Sequence, residues 1–150
     1  MKIVVQRVKG ANLSVDGKVV SEIGKGIVAY VCFTEADSGK KELFDWAIAK
    51  LINLRIFEDE NGKTNLSAND VKGEFLLVSQ FTLAGDASHG NRPSFITAMK
   101  WYEAKAMFDE FGEKFKNAYG YKTAFGVFGA DMTICQTNDG PFTLILEKTL

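Results

Sequence analysis

Two polar interruptions in otherwise apolar, strand-like runs are the places where this chain could do chemistry. The first is VSQFTLAG, residues 78–85. Ser79, Gln80 and Thr82 bring two hydroxyls and an amide to the point where a strand opens into a glycine-containing loop. Such openings are where pockets are commonly built. In an extended strand, Ser79, Phe81 and Leu83 share one face and Gln80 and Thr82 the other. A half-exposed strand end accounts for the same residues, and on pattern alone that plainer account is favoured. The second stretch is QTNDGPFTLIL, residues 136–146. Asn138-Asp139-Gly140 carries turn chemistry, and Phe142 to Leu146 reads as a strand. Pro141 stands at the junction and removes a backbone donor. A Gly-Pro pair presents carbonyl oxygens with no proline N–H to pair them. A turn or a strand start tolerates proline equally well. A cis peptide, the minority state of X–Pro bonds, would instead turn the two neighbouring carbonyls the same way.

Other chemistries lack their residues. The chain has no GxGxxG or phosphate-binding glycine loop and no GxSxG elbow. A Ser-His-Asp relay would have to use His89, the single histidine, which stands in the polar loop DASHGNRP and reads as solvated. The carboxylates are scattered over helix faces and turns, with no pair marked out for acid–base work. Cys32 and Cys135 both fall in apolar runs and are expected to be buried, reduced thiols. With two cysteines, no CxxC and one histidine, a structural zinc site lacks ligands. No metal and no cofactor are implied. The formal net charge of −1 and the three arginines, Arg7, Arg55 and Arg92, exclude a generic basic nucleic-acid coat.

The elements that must position these residues follow from periodicity. A chain of 150 residues suits one domain, residues 1–150, with a real core. Residues 2–8 read as a strand, and 11–15 with 18–23 as a hairpin about Asp16-Gly17. GIVAYVCF, 26–33, reads as a central strand. Ser38 is placed as the N-cap of a helix over 39–52. RIFED, 55–59, is a short strand closed by a turn at 60–62, and EFLLVSQFTL, 74–83, is another strand. Trp101, Ala104, Phe108, Phe111, Phe115 and Ala118 recur at steps of three and four, which places them on the core face of a second helix. Strands near 122–128, 131–137 and 142–147 complete an α+β domain, mostly antiparallel, with two helices covering sheet. MKIVVQRV runs straight into strand pattern, and no apolar run approaches the roughly 20 residues that span a bilayer. A soluble cytoplasmic protein is expected.

SQFTL at 79–83 together with NDGPFT at 138–143 resembles the two signatures, SQFTL and NxGPxT, of the D-aminoacyl-tRNA deacylase family. The resemblance runs along the chain through VVQRV (4–8), VDGKVV (15–20), IGKG (23–26), NLRIFEDENGK (53–63), RPSF (92–95) and FGADM (128–132). It implies a barrel-like D-tyrosyl-tRNA deacylase fold and a homodimer with sites at the subunit interface. It implies hydrolysis of the ester between a D-amino acid and the 3′-terminal adenosine of tRNA, and release of glycine mischarged on tRNA for alanine. Ser79, Gln80, Phe81 and Thr82 would form the pocket wall. Gly140-Pro141 would be a cis pair reaching into the partner's pocket, where backbone carbonyls admit a D-amino acid and obstruct an L side chain. Asn138 and Thr143 belong to the same filter motif, and Arg7 would brace it. Phe128 and Met132 match positions that pack on the terminal adenine, although core packing explains them too. Thr82 lacks a visible base, so water, the amides of 81–82 and the ribose 2′-hydroxyl are the better chemical fit. Ala84 departs from the tyrosine that commonly follows SQFTL. A non-catalytic module that binds the tRNA 3′ end and a small-molecule esterase using Ser79 or Thr82 remain open.

Overall fold

The computed structural model describes residues 1–150. One strand organises it. β1 (Lys2–Val15) is long enough to serve three neighbours. Along one edge its first half pairs antiparallel with β3 (Gly26–Cys32), with Ile3 opposite Val31, and its second half pairs with β2 (Lys18–Ile23). Asp16 and Gly17 take positive φ in the expected two-residue hairpin turn. Along its other edge β1 pairs with β8 (Thr133–Glu147) over nearly its whole length. The sheet continues from β3 to β6 (Glu74–Ser79) and then to β7 (Thr123–Phe125), giving the order β2-β1-β3-β6-β7. The Ser21 hydroxyl donates to the Phe125 carbonyl at 2.5 Å and ties β2 to β7, so the sheet nearly closes. β4 (Arg55–Glu58) and β5 (Thr64–Ser67) form a separate small ribbon.

The β3–β6 and β6–β7 pairings are parallel. Apolar periodicity is blind to strand direction, so this mixed character within a largely antiparallel sheet was not readable. α1 (Glu42–Asn53) is the crossover from β3 towards β6, and α2 (Trp101–Ala118) the crossover from β6 to β7. Both lie on one face. Ile3, Val5, Ile27, Ala29, Phe75 and Leu77 meet Phe44, Ala47, Leu51, Phe111 and Phe115 there in the main core. The opposite face of the curled sheet closes on a smaller core of Val8, Leu13, Val28, Leu76 and Val78.

Several boundaries differ from expectation. α1 begins at Glu42, and Ser38 instead ends the short 3-10 turn Glu35–Asp37. Asp37 organises that turn: its buried carboxylate accepts from the Met1 ammonium at 2.7 Å and from the Thr34 amide and hydroxyl, each at 2.8 Å. β6 stops at Ser79, and Phe81–Ala84 turns into a 3-10 helix, so the two-face reading of residues 79–83 does not hold. Residues 133–147 are one strand rather than two, because pairing with β1 carries through the turn-like NDG, with register shifts on either side of Val8. Cys32 is buried but Cys135 is exposed, since Thr133, Cys135 and Thr137 alternate outward along β8. On α2, Met107 and Tyr119 join the core while Trp101 and Ala118 are exposed. No helix is long and apolar enough to cross a membrane.

Candidate active site

The ends of three parallel strands make the pocket. β3, β6 and β7 run the same way, and the residues at and beyond their ends converge: Val31–Phe33 at the end of β3, Ser79–Phe81 at the end of β6, and Phe128–Met132 after β7. Ligand sites in open parallel sheets lie beyond the carboxyl ends of the strands for the same reason, because the loops leaving neighbouring strands are brought side by side. The first turns of α2 supply the remaining wall through Trp101, Ala104 and Phe108. The cavity holds about 560 Å³, and most of its lining is apolar. That volume lies in the range of small-molecule sites.

Of the residues expected from the first motif, Ser79, Gln80 and Phe81 line this cavity, as do Phe128 and Met132. Thr82 does not; it is exposed on the outer side of the 3-10 turn, and its hydroxyl accepts a hydrogen bond from the Gln80 side-chain amide. The Gln80 backbone amide donates to the Val31 carbonyl at 2.8 Å, which fixes the turn against β3. The amides of Phe81 and Thr82 open that turn, and the first amides of a helical turn have no intrahelical acceptor. Sequence reasoning missed Cys32, Met99, Trp101 and Asp131 in the lining. Trp101 was assigned to the core by its helical spacing, but the first turn of α2 overhangs the pocket. Asp131 is the one carboxylate in the lining and carried no signal. Burial pushes the Cys32 thiol up from its ordinary value, which makes it a poor nucleophile at neutral pH.

The second motif lies elsewhere in the chain. None of Asn138, Gly140, Pro141 or Thr143 lines the cavity. All four are exposed on β8, and the Gly140–Pro141 peptide is cis. Arg7 holds this segment from within. Its guanidinium is buried and donates to the Ile56 carbonyl at 2.6 Å and to the Asp139 carbonyl at 3.2 Å. It lies 3.3 Å from the Asp139 carboxylate and stacks 4.9 Å from the Phe142 ring centroid. A chain of side chains supports the outer face: Tyr30 donates to Gln136, Gln136 to Gln6 and Asn138, and Gln6 to Thr143. Two members of that chain, Asn138 and Thr143, flank Gly140-Pro141.

The family model described as D-Tyr-tRNA(Tyr) deacylase matches residues 4–147. The chain belongs to that family. Among its relatives is a D-aminoacyl-tRNA deacylase of Fusobacterium nucleatum, 49% identical over 98% of this chain and 95% of its own length. Another, of Lactobacillus acidophilus, is 45% identical over 98% of this chain and 99% of its own. Both carry the name D-aminoacyl-tRNA deacylase. A solved structure of the c-Myc DNA Unwinding Element Binding Protein superposes with a TM-score of 0.92 at 39% identity, covering all of both chains. SQFTL and NDGPFT thus occupy separate places in the chain: Ser79, Gln80 and Phe81 line the cavity, and residues 138–143 lie on the edge strand β8.

Proposed function

We propose that this chain hydrolyses the ester joining a D-amino acid, or glycine, to the 3′-terminal adenosine of tRNA, and that it does so as a homodimer. Membership of the deacylase family supports the reaction class. The observation that carries the finer reading is the placement of the two motifs. Phe128 and Met132 face Ser79, Gln80 and Phe81 across one cavity. Gly140-Pro141 stands exposed on β8 and is absent from the lining of its own cavity, which supports a role in the cavity of a second protomer. In the resulting site the adenine packs against Phe128 and Met132, and the ester carbonyl lies against the turn at 81–82. Water attacks the carbonyl carbon, and the amides of Phe81 and Thr82 stabilise the oxyanion. The bond to the ribose 3′-oxygen then breaks, and that oxygen takes a proton, with the 2′-hydroxyl as the nearest relay. The Gly140 and Pro141 carbonyls receive the substrate amine and leave no room for an L side chain. Glycine passes because it has none.

Thr82 acts by orienting Gln80 rather than as a nucleophile, since the amide of Gln80 is its side-chain partner and no base holds it. Purified protein is expected to cleave D-tyrosyl-tRNA and glycyl-tRNA and to spare L-tyrosyl-tRNA. Thr82→Ala should keep clear activity, reduced by roughly tenfold at most, the worth of one side-chain hydrogen bond. Complete loss in a folded Thr82→Ala variant that still binds tRNA would make Thr82 the nucleophile. No cleavage of any of the three esters by the native protein would leave a binding module for the 3′ end. Equal cleavage of esters lacking tRNA would point to a small-molecule esterase.

A further inference from the structure

Between the 3-10 turn at Phe81 and the first turn of α2, the chain leaves large apolar side chains in solvent. Phe81 is 57% exposed, Phe95 38%, Ile96 88%, Trp101 61% and Tyr102 68%. Phe81 and Trp101 also line the cavity, so this apron is continuous with its mouth. The backbone beneath is tied down. Asp86 and Ser94 exchange amide–carbonyl hydrogen bonds of 2.8 and 2.9 Å, the Thr97 hydroxyl donates to the Ala84 carbonyl at 3.1 Å, and the Met99 amide donates to the Phe33 carbonyl at 3.2 Å. Two of the rings are braced by others: Phe81 meets Phe95 edge-on at 5.4 Å, and Trp101 meets Phe128 edge-on at 5.7 Å. These aromatic faces are therefore presented by fixed elements.

Within this segment the loop itself is basic, with Asp86 and Glu103 flanking it at either end. Residues 87–100 include His89, Arg92 and Lys100 and no acidic residue. Neither Arg92 nor Lys100 enters an ion pair. Asp86, at the start of the loop, is occupied by the Ser88 amide and hydroxyl.

We propose that this apron binds the unpaired RNA strand immediately upstream of the terminal adenosine, with bases stacking on the exposed rings and Arg92 and Lys100 set against phosphates. The inference rests on the deacylase reading above. Flat exposed rings interleaved with unpaired cations fit single-stranded nucleic acid, because every base offers a π-face and every linkage a negative charge. A second copy meeting this segment face to face would set Arg92 and Lys100 against their like. Continuity decides the placement: an adenine against Phe128 lies beside Trp101, which stands between it and the apron, and the strand leading to it leaves the cavity past Trp101.

The test compares two substrates and one ligand. D-tyrosyl-tRNA carries the strand; D-tyrosyl-adenosine keeps the ester and the base but lacks it. The variants are Ile96→Ser with Tyr102→Ser, and Arg92→Ala with Lys100→Ala, none of which touches the cavity. Each pair should lower kcat/KM on D-tyrosyl-tRNA by about tenfold or more and leave D-tyrosyl-adenosine unchanged. The cation pair should also flatten the log–log salt dependence of tRNA binding by about 1.4. Equal losses on both substrates, no loss on either, or conversion of a dimer to a monomer would overturn the proposal. Fluorescence anisotropy with a labelled single-stranded RNA ending in adenosine separates the two readings. If the native protein cleaves neither ester but the variants bind this RNA more weakly, the deacylase reading fails and the apron stands. If the variants bind it as the native protein does, the apron fails.

Discussion

At Gly140 a single methyl group is expected to matter. The residue has φ +126°, and an added Cβ would lie 3.1 Å from the Phe142 nitrogen and 3.2 Å from an Arg7 guanidinium nitrogen. Gly140→Ala must therefore strain its own backbone and push on a buried cation, at about 1–3 kcal/mol. Denaturant titration should show a loss of that size. Hydrolysis of the D-ester should fall by more than about tenfold, beyond what lost stability explains, because the carbonyls move with the strain. Tyr119 offers a different check. Its buried hydroxyl donates to the Ala68 and Gly73 carbonyls, and burial pushes its pKa up from 10.0 to about 12. A raised folded-state value means that the stabilisation is complete below pH 10 and is lost as pH rises towards 12, where the unfolded chain has already given up the proton. Tyr119→Phe should be about 1 kcal/mol less stable at neutral pH and should show a flatter decline over that alkaline window. Denaturant midpoints collected against pH decide it.

Among the elements, the parallel trio β3-β6-β7 creates the pocket, and its closest approach is at Gly26. There a Cβ would fall 1.8 Å from the Glu74 carbonyl oxygen, a backbone atom that cannot step aside. Gly26→Ala is expected to cost about 3 kcal/mol or more by forcing β3 away from β6, with the loss read by urea unfolding. What the sequence disclosed at this scale follows from how local each signal is. The Asp16-Gly17 hairpin, the β3 run and the α2 stripe are encoded by neighbours along the chain; the first two stand where they were expected, and the stripe holds at Phe108, Phe111 and Phe115 while its ends, Trp101 and Ala118, are exposed. The end of β6 was misplaced because SQFTL keeps an apolar rhythm while the backbone coils into a 3-10 turn. β8 was divided because Asn138-Asp139-Gly140 is turn-like by composition, and only the pairing with β1, from the far end of the chain, overrides it. The two motifs were legible as text. Their separation, one in the cavity and one on an edge strand, depends on tertiary distances that no local pattern carries.

For the whole molecule, the separation of cavity and filter sets the arithmetic of mixing. If each cavity is completed by Gly140-Pro141 of the other protomer, a Phe81→Ala chain and a Gly140→Ala chain, each strongly impaired alone, should complement one another. Unfolding and refolding them together in equal amounts should restore about a quarter of native activity, since half the dimers are mixed and each mixed dimer keeps one intact site. Mixing chains whose defects sit in the same motif should restore none, and a strictly intramolecular site would give none in either case. Light scattering on the same samples reports whether dimers form.

β8 also bears on how the protein behaves at low concentration. It is a 15-residue strand paired within the chain only to β1, with Ile145 exposed on it. A long strand whose second edge is free is a template for further strands. The monomer therefore faces two competing fates, closed pairing with one other chain or open-ended growth into fibrils. If a second chain closes that edge, fibril growth should begin where mild denaturant separates the two, and a ligand that binds only the paired form should suppress it.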